Sequence, residues 1–203
     1  SLWTNSNYLI VGHQGSGNSL IISNGGKEAG SSGYIGVNAS SSNNSVLVTG
    51  TNSTWTNADT LIVGDQGSSN SMVISNGGTV ANSNGYIGYG ANSSNNSVLV
   101  TCAGSVWTNS GDLYVGYSGF SHRMVIADGG KVYNVNGFDD GASPLDSSNS
   151  VLVTDTDSAW VNSGNLTFGL AGHDNSLVVS NGGLVTVGTN AYLGMANTAS
   201  NNS

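Results

Sequence analysis

Basic residues are nearly missing from this chain of 203 residues, which has three Lys or Arg against 11 Asp or Glu and a formal net charge of −8. Neutralising phosphate needs clustered Lys and Arg, so the composition argues against a nucleic-acid partner. It argues equally against docking on an anionic membrane. Cysteine occurs once, as Cys102, so no internal disulfide can form. Proline also occurs once, at Pro144. No apolar run is long enough to span a bilayer as a helix, and no membrane insertion by this segment is expected. Good helix formers at a 3.6-residue period are lacking too, which removes a helical fold.

What remains is Gly, Ser, Asn and Thr, interrupted by short apolar clusters. Such a polar composition can mean disorder, but 37% of the residues are hydrophobic and their clusters are regularly spaced. Trp3, Trp55, Trp107 and Trp160 recur at steps of 52 or 53 residues, and "NNSVLVT" appears at Asn43–Thr49 and again at Asn95–Thr101. Each such unit divides into two halves that open on Asn-Ser and three apolar residues, as at Asn44 and Asn70. The resulting step is about 26 residues, with β-type runs such as "SVLVT" and "LIVG" separated by Gly/Asn/Ser turns.

Runs this short cannot bury a face alone, but stacking each coil on the next gives them one continuous interior. The predicted fold is all-β: a parallel β-solenoid of about 7–8 coils, three-sided, and right-handed as parallel crossovers are. Residues 1–203 are expected to form one repeat domain, part of a longer chain because the pattern is open at both ends. Alternation places Val46 and Val48, with their equivalents in other coils, inward. A buried tryptophan row is expected as well, with Val80, Val132 and Val185 sharing its place in alternate coils.

Three features are candidates for more than packing. Asn18, Asn44, Asn70, Asn96, Asn149 and Asn175 fall in one column, where stacked amides can form a ladder; His122 interrupts it. Some of these sites match glycosylation sequons, as chance allows in so Asn-rich a chain. Tyr34, Tyr86, Tyr114, Phe138 and Tyr192 fall in a column that alternation points outward, a candidate ligand or glycan contact stripe or else simple lateral packing. Asp139, Asp140 and Asp146 are weak candidates for a cation site, with oxygen ligands of the type calcium takes. The EF-hand spacing is absent, and a looped-out irregularity at Asp139 is the preferred expectation. His13, His122 and His173 lie in different coils with no recurring nucleophile or acid beside them. Neither an enzyme nor a cofactor is expected. Ice binding is disfavoured, because Thr49, Thr101 and Thr154 recur only in alternate coils.

"SVWTNSGDLYVG" at Ser105–Gly116 and "NSMVISNGG" at Asn70–Gly78 resemble repeats of bacterial surface proteins, namely the passenger regions of type V secretion autotransporters and large exosortase-sorted exoproteins. The resemblance extends over the whole chain. It implies a secreted or surface-displayed β-helical stalk, often adhesive, and carries no catalytic residues. The expected function is therefore a structural or adhesive extracellular stalk or filament segment that self-associates end to end or laterally. A carbohydrate-binding or carbohydrate-active β-helix that uses the aromatic stripe is the alternative.

Overall fold

The computed structural model of the chain describes residues 1–139 and 147–203. Those residues form 23 strands and no helix. The strands assemble into three sheets of eight, eight and seven members, each taking every third strand of the chain. One circuit thus lays one strand on each of three faces, and the pairing between circuits is parallel, as in Ser45–Thr49 against Ser71–Ser75. The predicted parallel β-solenoid of about 26 residues per coil is the fold observed. We name the faces after one coil: the five-residue face (Ser45–Thr49), the tryptophan face (Thr54–Asn57) and the short face (Leu61–Val63).

The corners are set by residues that tolerate a left-handed backbone. Between the five-residue and tryptophan faces, Asn76 and Gly77 take φ of 51° and 83°, and Asp128 and Gly129 repeat this at 51° and 84°. Asp128, which departs from the Asn of the "SNGG" pattern, therefore does the same backbone job, because Asp shares Asn's tolerance of this region.

The interior explains why the sequence repeats over two coils instead of one. Trp55, Trp107 and Trp160 are fully buried, and a tryptophan is too large to recur at every 4.8 Å rung. Each indole instead leans over the preceding coil, which makes room with a glycine. A Cβ on Gly85 would stand 2.8 Å from Cζ2 of Trp107, and one on Gly137 would stand 2.7 Å from Cζ2 of Trp160. Val80 and Val132 take the tryptophan position in those preceding coils, as anticipated. The same coils supply the polar partner: the indole N–H of Trp107 donates to Asn82 Oδ1 at 2.7 Å, and that of Trp160 to Asn134 Oδ1 at 2.7 Å. Asn82 and Asn134 then pass their amide hydrogens to Asn109 and Asn162 at 2.7 and 2.6 Å. A second, wholly interior line of asparagines thus satisfies the polar edge of the core.

Coil two breaks this scheme. Glu28 stands where valine is expected and Gly30 where asparagine is expected, in register with Trp55 and Asn57. Glu28 is buried against the indole of Trp55. Its Oε1 accepts the Asn5 amide at 2.6 Å. Trp55 Nε1, both side-chain polar atoms of Asn57, Glu28 Oε2 and Asn5 Oδ1 are buried with no hydrogen-bond partner. Burial pushes the Glu28 carboxyl above its ordinary value of 4.5, opposed by the Asn5 hydrogen bond and the nearby indole.

Candidate functional site

The asparagine column forms at the corner entering the five-residue face. The residue before each member is left-handed, with φ of 58° at Asn43, 58° at Ser69 and 55° at Asn95. That twist turns the next backbone N–H out of the sheet pattern. The side chain one coil on captures it: Asn18 N donates to Asn44 Oδ1 at 2.9 Å, and Asn44 N to Asn70 Oδ1 at 2.9 Å. The amides also bond to one another, at 2.9 Å from Asn18 to Asn44 and 3.0 Å from Asn44 to Asn70. Asn149 and Asn175 keep the acceptor role, taking the N–H of His122 and Asn149 at 2.9 Å each. The ladder packs against left-handed glycines of the preceding coil. A Cβ on Gly36 would collide with the Asn70 amide, and one on Gly64 with the Asn96 amide.

His122 continues this ladder. Its ring is fully buried, Nδ1 accepts the N–H of Asn96 at 3.3 Å, and Nε2 faces the carbonyl of Ser118 at 3.2 Å. The neutral ring with its proton on Nε2 satisfies both contacts, so histidine replaces the Oδ1/Nδ2 pair of an asparagine amide. Desolvation lowers its pKa to about 4, against the weaker opposing pull of the Ser118 and Ser93 hydrogen bonds. The departure from the repeat is thus a chemical equivalent of it, and among the described residues no group of three or more His, Cys, Asp or Glu side chains that could hold a metal is present.

The aromatic column divides. Tyr86, Tyr114 and Phe138 stack in succession, with ring centroids 5.1 and 4.6 Å apart and planes within 3° and 8°. Two tyrosines that period-2 reasoning missed, Tyr89 and Tyr117, stack beside them at 5.0 Å. They meet Tyr86 edge-on at 5.2 and 5.5 Å. Both follow the glycine that ends the strand ("IGY", "VGY"), where a left-handed turn resets the side-chain direction. Tyr34 contacts Tyr8 at 5.7 Å and is separated from the cluster by Ile62; Tyr192 is separated from it by Thr167. Ile62 and Thr167 are buried although neither belongs to the core cluster that holds Leu61, Val63, Leu166 and Phe168, so lateral packing along the column covers them. In the five-ring cluster, the inner faces of the stacked rings are covered by their neighbours, and edges and hydroxyls point away from the stack. Burial, with Asp112 close by, pushes the Tyr114 hydroxyl up to about 12.

Of the three carboxylates considered for a cation, Asp140 and Asp146 lie outside the described residues. Asp139 corrects the expectation of a looped-out irregularity. It stays in strand register between Val115 and Phe168 and is fully buried. Pairing of Gly137–Asp139 with a strand on each side holds the backbone and carries the carboxyl into the core column. His173 pairs with the adjacent Asp174 at 2.7 Å on the surface, which holds the Asp174 carboxyl below its usual range. No protein-family model, curated protein or solved structure matches the chain.

Proposed function

We propose that this chain is a structural segment of an extracellular, surface-displayed stalk or filament, with adhesion and self-association as its roles and no catalysis. One observation carries the reading: three parallel sheets run unbroken from the first coil to the last, tied at one corner by the asparagine ladder that His122 continues and inside by the pairs Asn82–Asn109 and Asn134–Asn162. At about 4.8 Å per rung, eight rungs make a rod about 34 Å long in which each coil is held by its neighbours alone. Stiffness therefore comes from the repeat and extends with coil number, as a spacer requires. The uncharged Ser, Thr and Asn surface suits a chain that must stay extended between other elements. The aromatic cluster gives a glycan reading little support, because carboxylates stand beside it and a neutral sugar makes no use of their charge.

Protease shaving of intact producing cells tests the display. Release of peptides from this chain before lysis is the expected result. A chain fully protected until the cells are opened overturns the proposal. Sedimentation equilibrium over a wide concentration range tests the self-association, and a strictly monomeric rod removes that part.

A further inference from the structure

The five-ring cluster has chemistry that the stalk role leaves unused. Tyr89 and Tyr117 are 39% and 40% exposed, a large outlay of aromatic surface for a chain that could place Ser or Asn there. The surroundings are acidic. Asp59 and Asp112 act electrostatically on Tyr86, and Asp65 and Asp59 on Tyr34. Asp65 is the rung neighbour of Tyr89, as the bonds from Tyr89 N to Gly64 O and Gly90 N to Asp65 O fix. No Lys or Arg balances these carboxylates on the short face: Lys27 and Lys131 belong to the tryptophan face and Arg123 to the five-residue face. The patch therefore offers hydroxyl and carboxylate oxygens beside aromatic rings.

We propose that the cluster of Tyr86, Tyr89, Tyr114, Tyr117 and Phe138, with Asp65 and Asp112 at its margins, docks an arginine-bearing segment of a cationic polypeptide. A guanidinium supplies what the patch lacks. It is planar and stacks on the outer face of a tyrosine such as Tyr89, and its donors reach hydroxyl and carboxylate oxygens together. It is also weakly hydrated, so it gives up little on leaving water. A lysine ammonium answers the charge but not the plane. A neutral sugar could lie on the same outer ring face but does not answer the charge, and a second copy of this chain brings the same negative charge. The docking site is local to four coils and does not depend on how the rod is displayed.

The test is fluorescence anisotropy with labelled oligo-arginine and oligo-lysine peptides of equal length. The chain itself is compared with a Tyr89→Ser/Tyr117→Ser variant whose melting is checked by circular dichroism. Preference for oligo-arginine, weakened about tenfold in the double variant, is expected. A second pair of variants keeps the test decisive if the tyrosine changes disturb folding. Asp65→Asn/Asp112→Asn should weaken oligo-arginine binding far more than Asp155→Asn/Asp157→Asn, which removes the same charge elsewhere. Equal losses from the two acidic pairs would show diffuse attraction to net charge and overturn the proposal. Equal affinity for the two peptides, a glycan that displaces oligo-arginine by binding more tightly, or a dimer that dissolves on Tyr89→Ser/Tyr117→Ser would do the same.

Discussion

The paired departure in coil two can be reversed by design. Glu28→Val with Gly30→Asn rebuilds the arrangement that surrounds Trp107 and Trp160. The amide oxygen introduced by Gly30→Asn would accept the Trp55 indole N–H, as Asn82 accepts that of Trp107 at 2.7 Å. The introduced amide nitrogen would donate to Asn57 Oδ1, as Asn82 donates to Asn109 at 2.7 Å. Each restored bond is worth about 1 kcal/mol, and each buried polar atom relieved of isolation about 1–3 kcal/mol. Against this, Asn5 must withdraw, since its Oδ1 stands 2.5 Å from where a Cβ at Gly30 would be. The Asn5 side chain is only partly buried and flexible, so it can turn out of the stack once its Glu28 partner is gone. The balance is a gain of about 2–4 kcal/mol. For a chain of this length that raises Tm by about 4–16 °C. The gain appears locally as slower hydrogen exchange in the first three coils, because repeat arrays fray from their ends. The pH dependence gives an independent reading. The folded-state pKa of Glu28 is raised, so its contribution is fully present below the unfolded value of about 4.5 and is lost as pH rises through the folded value. The double variant should lose that decline. Each single change should destabilise: Glu28→Val takes away the acceptor of the Asn5 amide, and Gly30→Asn alone crowds Asn5. A double variant no more stable than the parent, or one whose effect equals the two single effects added, refutes the reasoning.

The ladder and core yield three more expectations. His122 is buried neutral with its pKa lowered to about 4, so its stability is present above the unfolded value of 6.5 and lost as pH falls toward 4. His122→Asn should remove about 3 kcal/mol of that acid sensitivity while leaving stability at pH 7 nearly unchanged, checked by thermal melts at both ends of the range. Asn70→Ala should cost about 1–3 kcal/mol for each donor it orphans on Asn44, measured by denaturant unfolding and by exchange of the Asn44 amide. Gly85→Ala drives a Cβ into Asn109 Oδ1 and to 2.8 Å from the Trp107 ring, and should cost upwards of about 1–3 kcal/mol. Gly25→Ala, where nothing lies within 4 Å, should show only the smaller strain of its positive φ in the same denaturant series.

How much of this was legible in advance follows from what a stack makes periodic. Parallel pairing returns residue 45 to the place of residue 71, so every column was readable as a repeated letter, and the three faces, the inward valines and the asparagine line came directly from spacing. What escaped was chemistry carried by different letters. Ser69, Asn95, Ser121 and Asp174 share one left-handed backbone, and only that backbone shows why the next N–H needs a side-chain acceptor. His122 looked like an interruption because histidine and asparagine are different residues; the ladder asks only for an acceptor and a donor at the right separation. Tyr89 and Tyr117 sit past the glycine where strand alternation ends, so the period that found Tyr86 and Tyr114 could not reach them.

Asp139 and Glu28 point to the same physical rule. Each is a carboxyl at a position the repeat reserves for an apolar residue, and sequence logic expects such a group to leave the core. Both stay, because the strands that carry them are bonded to a rung above and a rung below. Expelling one side chain would break two sets of backbone bonds at once, whereas burying one carboxyl costs a few kcal/mol, which at Glu28 the Asn5 hydrogen bond partly offsets. In a solenoid the backbone therefore outvotes the side chain everywhere except at the ends. Polar departures inside the stack record local compensation, such as Gly30 beside Glu28, and functional variation belongs on the outward columns, where the tyrosine cluster lies.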